Sequence, residues 1–386
     1  MNHIENYFDY AATTPVDPEV LKSMEPYFFE NFGNPSSAHS WGQEAFAAVE
    51  NSRSVLAELF HADSAGVIFT GSSTEANNMI LNHAVLKWYT KNHTPAHILI
   101  SSMEHSAVRA PSQALQEMGF CEAEQISTDS YGRIDPDEVK RRIRSNTVLV
   151  SIIYGNNEIG TINPISEIGL ICRNEGIPFH SDATQYAAHA RIDMEAMNLD
   201  YMTIAGHKCY GPKGIGALIK RDAEPLIPLV YGGRQEIGQR AGTSNVPYIM
   251  GIRKAYEIRL QKINEFAEKE KLFRDEIIKS VLEQIPDAVL TGHPQERLAN
   301  HASFAFKNVD ATALQALLDR RGFAVSIGSA CRSTAVKGQQ ILRNLQLSED
   351  FINGGLRITV GRYNTEKSVR ELVNAIKETV LFLRNN

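Results

Sequence analysis

Short apolar runs and longer amphipathic stretches alternate between about residues 43 and 220. GQEAFAAVENSRSVLAELF carries apolar positions at helical spacing and predicts a helix, and GVIFT after it predicts a strand. A helix from Ser73 to about Tyr89 follows, then a strand in HILISS, a helix near 106–118, a strand in TVLVSIIY and a helix from about Ile165 to Asn174. IPFHSDA, YMTIAG and IGALIK complete the strands. They are short, β-branched and apolar on both faces. That is the pattern of a largely parallel sheet covered by helices, and it gives an α/β class.

The character changes after RAGTSN. Residues 246–285 form one long helical pattern with room for a single break. Strands are predicted in HASFAF, FAVSIG and LRITVG, with helices near 310–321, 336–345 and 366–384. This part reads as a smaller α+β domain joined through the long helix.

Composition narrows the function without naming it. The chain has 386 residues, 43% of them hydrophobic, and a net charge of −6, so bulk charge offers nothing to nucleic acid. The densest basic run, KRRIR, follows DPDEV, which is how a helix complements its own dipole. No stretch of apolar residues is long enough to span a membrane, and the first residues lack the pattern of a secretory signal. Cys121, Cys172, Cys209 and Cys331 lie far apart with no C-x-x-C pair, which argues against a disulfide framework or a cysteine-rich metal site and fits a reducing cytoplasm.

Ligands of open α/β sheets gather at the C-terminal ends of the strands, and polar residues cluster there. Gly71-Ser72-Ser73-Thr74-Glu75 follows IFT where a helix begins; it reads as a capping box and also as a phosphate site, though not a Walker loop. FHSDATQ ends a strand with Asp182, either a helix cap or the partner of a protonated ring nitrogen. His105 lies just past HILISS, and Asn156 and Asn157 just past TVLVSIIY. Lys208, in AGHKCYGPKGIG, is either a solvated loop cation or a partly buried amine made nucleophilic by desolvation. Together these strand ends offer a ring stacker, amide donors, a carboxylate and a lysine, the inventory for pyridoxal 5'-phosphate held through a lysine.

YFDYAATTP, FGNPSS, STEANN, EHSAV, NNEIG, DATQ, GHKCYGPKGIGAL, RAGTSN and GSACRS occur in that order from about Tyr7 to the last helix. In this combination the chain resembles the class V aminotransferase family, and within it most resembles the cysteine desulfurases with a long active-site loop. The resemblance implies the pyridoxal-phosphate fold type I. A large domain of residues 15–250 would carry a mostly parallel seven-stranded sheet, and residues 1–14 with 251–386 would form the small domain. It also implies a homodimer that converts L-cysteine to L-alanine and passes sulfur on, with no metal.

Carried onto this sequence, the resemblance makes Lys208 the cofactor lysine and base. His105 would stack on the ring and move a proton, Asp182 would pair with the ring nitrogen, and Gln185 and Asn157 would bond the side of the ring hydroxyl. Ser73, Thr74 and His207 would hold the phosphate, with Thr243 reaching it from a second subunit. Arg357 would clamp the substrate carboxylate, beside Asn157 and the turn residue Asn34. Cys331, among the small residues of IGSACRSTAVKG, would take the sulfur as a persulfide. Ala205 stands where the family has serine, Gly71-Ser72-Ser73 where it has S-G-A, and Ile327 in the second position of its S-S-G-S-A-C. Selenocysteine lyase or aminotransferase activity on the same scaffold is the alternative. The acceptor stays open among an iron–sulfur scaffold, a tRNA-thiolation protein and a DNA-sulfur-modification protein, since the chain ends directly after its last helix.

Overall fold

The computed structural model describes residues 3–221, 224–327 and 335–385. Among the described residues, seven strands form the larger sheet: β1 (Val67–Thr70), β2 (Ala96–Ser101), β3 (Cys121–Ile126), β4 (Thr147–Ser151), β5 (Phe179–Asp182), β6 (Tyr201–Ala205) and β7 (Gly216–Lys220). Their order is β1-β7-β6-β5-β4-β2-β3. Neighbours from β6 to β3 run parallel, while β7 runs antiparallel to both β6 and β1. The expected α/β architecture is therefore present, and β1, β2, β5 and β7 are buried along their whole length. Helices cover both faces. One core gathers Phe60, Leu99, Val150, Phe179, Met202 and Tyr256, and a second gathers Met79, Ile80, Ile98, Ile100, Leu149 and Leu218.

The seventh strand, β3, is the element that apolar patterning does not reveal. Its sequence CEAEQI buries Cys121 and Ile126 at its ends and exposes Glu122 and Gln125 between them. An edge strand has one neighbour, and charge along it discourages pairing with another chain.

A three-stranded antiparallel sheet, β8 (Ala288–Leu290), β9 (His301–Phe306) and β10 (Gly355–Thr359), follows in the order β10-β9-β8. It packs its own core of Phe8, Phe273, Ile277, Phe304, Phe306, Leu314, Ile358 and Ile376. HASFAF and LRITVG are strands as expected. Among the described residues of FAVSIG, Ala324 and Ser326 make single bridges, to Tyr7 and to Arg357. β8 is three residues long, too short for apolar patterning to reveal it.

The long helical pattern breaks at Lys262 into Val246–Gln261 and Ile263–Gln284. Arg259 on the first helix meets Glu270 on the second at 2.8 and 2.9 Å, and the same guanidinium reaches His189 and the carbonyl of Ala188. The first helix belongs to the core of the large sheet, through Val246 to Leu260, while Phe273 on the second belongs to the small one.

The N-terminal segment threads between the cores. Phe8 donates its amide to Ala324 and accepts from Thr359, and Asp17 accepts from Arg362. No helix among the described residues is long and apolar enough to cross a membrane.

Candidate active site

The C-terminal ends of β2, β4, β5 and β6 open onto one cavity of about 250 Å³. It is lined by Ser72, Ser73, Thr74, His105, Ile153, Gly155, Asn157, Asp182, Thr184, Gln185, His207 and Lys208. Parallel strands place their following loops on one edge, so residues scattered over more than a hundred positions converge there.

Lys208 closes a 3-10 turn, Gly206–Lys208, directly after β6. Cys209 beside it is buried in the core. The Lys208 amine donates to the carbonyls of Ala11 at 2.6 Å and Ala12 at 2.8 Å. Burial first and the Arg357 guanidinium second push its pKa down to about 8, against the pull of Asp9, Asp182 and Glu158. A lysine so placed holds a useful fraction of neutral amine near neutral pH.

Asp182, at the end of β5, is buried and held from two sides. Asn77 Nδ2 donates to it at 2.7 Å and the Thr184 amide at 3.0 Å. Asn77 has no exposed surface although it is polar, and its own oxygen has no partner among the described residues. Glu104 lies close by, accepting from the Ile153 amide at 2.5 Å. Burial, then the charge of Asp182, pushes its carboxyl well above the usual carboxylate range.

His105 caps the helix Ser106–Glu117 through Nδ1, which accepts the Ala107 amide at 3.1 Å. That bond needs the lone pair on Nδ1, so the ring proton resides on Nε2. Burial, aided by Lys208 and Arg109, lowers its pKa against Asp182 and Glu158, so the neutral ring is favoured.

On the opposite side of the cavity the helix Ser73–Asn92 begins. Ser72 Oγ accepts the Glu75 amide at 3.2 Å, as a capping residue should, while the Glu75 carboxylate accepts from Gly71 at 2.7 Å and pairs with Arg240 at 2.7 Å. The first amides of a helix have no acceptor within it, so Ser73 and Thr74 bring both amides and hydroxyls to the cavity wall. A Cβ on Gly216 of β7 would sit 2.7 Å from the Ser72 carbonyl carbon and 2.8 Å from the Ser73 amide nitrogen; only glycine lets the strand approach so closely. His207 completes this side, its Nδ1 3.2 Å from the Thr13 hydroxyl and its pKa driven down to about 4, mainly by burial and then by Lys208 and Lys213.

Arg357, on β10, lies beside this cavity rather than in its wall. It is ion-paired with Asp9 at 2.8 Å and with Glu158 at 3.3 Å, and it donates to the Asn157 carbonyl at 3.1 Å. Burial works against its charge, but Glu158 and Asp9 outweigh it.

Eight of the expected residues thus meet at one cavity: Ser73, Thr74, His105, Asn157, Asp182, Gln185, His207 and Lys208. Gln185 spends its amide on the Ala11 carbonyl at 2.8 Å. Asn34 is exposed and shapes a turn by accepting the Ser36 amide at 2.9 Å. Thr243 lines a different pocket with Gly71, Glu236 and Arg240. Cys331 lies outside the described residues.

Thr184 also lines the cavity, and Asn77, Glu104, Asp9 and Glu158 lie around its residues, though the sequence assigns none of the five a role. Asn77 left a signal, a polar residue in the buried stripe of Ala76, Met79, Ile80 and Leu81. Among the described residues, His97, Glu122 and Glu124 could converge on a metal ion, but Arg144 binds both carboxylates and Arg142 binds Glu124.

The donor set fits pyridoxal phosphate. The Thr184 hydroxyl is buried and has no partner among the described residues, yet it borders the cavity. A nucleophilic amine and a carboxylate share the cavity with a helix start that suits an anion.

The family model described as aminotransferase class-V matches residues 6–372. Cysteine desulfurase IscS 1 of Archaeoglobus fulgidus is 40% identical over 98% of this chain and 98% of its own length. Among solved structures, a NifS-like protein superposes with a TM-score of 0.90 at 32% identity, over 98% of this chain and all of that one. SspA in complex with cysteine superposes at 0.82 with 33% identity, over 93% of this chain and all of its own.

Proposed function

The chain belongs to the aminotransferase class-V family, and from that membership we infer that it is a pyridoxal-phosphate-dependent cysteine desulfurase. The net change is L-cysteine plus a protein thiol giving L-alanine plus a protein persulfide, so one sulfane sulfur moves and no outside oxidant is needed. The observation that carries the reading is the shared cavity of Lys208 and Asp182, closed by the helix start at Ser73 and Thr74.

When bound, pyridoxal phosphate supplies the electron sink for deprotonation at Cα. Lys208 would hold it covalently at rest and, once displaced by the substrate amine, would take the Cα proton; a pKa near 8 suits that base. Asp182 would keep the ring nitrogen protonated, and its two donors aim it. His105 would lie on the ring and offer its Nε2 proton. Ser73, Thr74 and His207 would bind the phosphate. Arg357 would take the substrate carboxylate in two parallel hydrogen bonds, with Asn157 beside it. Cys331 would attack the substrate sulfur as a thiolate, become the persulfide and hand the sulfur to an acceptor protein. Neither alternative activity is favoured by any feature of the site.

The working form would be a homodimer in the cytoplasm. Phe28, Phe29, Phe32, Trp41 and Phe46 leave an exposed aromatic surface of the kind a second subunit covers, and Thr243 sits outside the cavity of its own chain, as a residue serving the other subunit would. Which protein accepts the sulfur would be read by trapping the partner that takes labelled sulfur from Cys331.

Replacing Cys331 by Ala tests the assignment. The variant should keep the visible absorbance of the bound cofactor and lose alanine release from cysteine by more than about 10³-fold. Unchanged turnover would refute the role of that thiol.

A further inference from the structure

Glu158 spans the two groups that cofactor and substrate need. Its Oε1 accepts from Asn157 Nδ2 at 2.7 Å, and its Oε2 lies 3.3 Å from Arg357 Nη1. Arg357 is only 5% exposed, and its Nε has no partner among the described residues. The guanidinium is therefore already flanked by two carboxylates, Asp9 close at 2.8 Å and Glu158 farther at 3.3 Å. A charge-assisted hydrogen bond of this type is ordinarily about 2.7–2.9 Å long, so the Glu158 contact is the weaker one.

We propose that Glu158 is a stand-in carboxylate, which occupies Arg357 until the α-carboxylate of an amino acid displaces it and thereby sets how tightly the site binds amino acids. The proposal rests on the reading of Arg357 as the substrate clamp. Three carboxylates around one guanidinium repel one another, so one must leave when substrate arrives. Asp9 has the shorter side chain, and its backbone is bridged to Thr359 of β10 beside Arg357, so it stays. Glu158 has the longer side chain on a fixed backbone, since Asn156 Oδ1 accepts the amides of both Glu158 and Ile159. It also borders, with Arg357 and Ser303, a second small cavity of about 80 Å³, which gives its carboxylate room to turn away. A carboxylate whose task was to aim Arg357 permanently would have the opposite consequence, because removing it would weaken substrate binding.

The test uses the cofactor-loaded protein and L-alanine, which carries the carboxylate but has no sulfur to lose. Binding is read by calorimetry and by the change in visible absorbance. Glu158→Gln keeps the shape and removes the charge; it should bind L-alanine about 5–10-fold more tightly than the parent, as removal of one nearby like charge implies. Glu158→Ala should shift in the same direction. L-alaninamide, which has no carboxylate, should show no gain. Arg357→Ala should lose L-alanine binding. If Arg357→Ala weakens binding while both Glu158 variants bind as the parent does or more weakly, the stand-in is overturned and the clamp stands. If Arg357→Ala binds L-alanine as the parent does, the clamp reading fails and takes the proposal with it.

Discussion

Two clusters of charged and polar groups sit on the large sheet, and they differ in how completely they are paired. At the polar edge, Glu122 and Glu124 of β3 face His97 of β2, and Arg142 and Arg144 close the cluster with ion pairs as short as 2.5 Å. Although burial opposes its charge, these cations hold the Glu124 carboxyl below its ordinary range. At the strand ends, by contrast, Thr184, Asn77 and Glu104 each keep a buried polar atom without a partner among the described residues, as does Arg357 beside them on β10. A buried polar atom left unpaired costs about 1–3 kcal/mol, so a chain that keeps several in one place has a use for them. Both clusters contain His and carboxylates, and composition alone does not tell them apart; the unsatisfied atoms do.

The largest effect should come from the amine at the centre of the unpaired cluster. Lys208→Ala should give a protein that never develops the visible absorbance of covalently held pyridoxal phosphate, with turnover reduced by more than about 10³-fold. In the parent, only neutral amine attacks the cofactor aldehyde, so loading of stripped protein should quicken about tenfold per pH unit below the Lys208 pKa. It should level off above about 8, where an unshifted lysine would go on accelerating; stopped-flow absorbance across pH 6–10 checks it. Asn77→Ala should rank next. It removes one of the two donors to Asp182 and should cost about 1–3 kcal/mol in urea unfolding, with a fall in kcat of about tenfold as the carboxylate loses its aim. Arg144→Ala, in the paired cluster, should be the mildest: the side chain is exposed, so the urea midpoint should barely move and kcat should stay unchanged. A large kcat loss in that variant would erase the distinction between the clusters.

Much of this was legible in the chain because parallel strands make their ends predictable. Once HILISS, TVLVSIIY, IPFHSDA and YMTIAG read as strands, His105, Asn157, Asp182 and Lys208 had to share an edge. The residues that went unread lack that signature. Strand β3 hides because an edge strand need bury only its ends. Asp9 and Glu158 hide because their roles depend on Arg357, which is 348 residues away from the first. FAVSIG reads as a strand because it is apolar, but Phe323 and Val325 are buried by packing, and its described residues make single bridges rather than a ladder. The motifs carried the remaining positions only through the family resemblance.

The segment that supplies the carbonyls of Ala11 and Ala12 to Lys208 also ties Phe8 to Ala324 and Thr359, and Asp17 to Arg362. Ala324, Thr359 and Arg362 leave the ribosome more than three hundred residues after Phe8 and Asp17, whereas Gln185 and Lys208, which also bind this segment, emerge sooner. Contacts of such long range form late and slowly. The backbone that receives the Lys208 amine is thus anchored by residues from the far end of the sequence as well as by Lys208 itself.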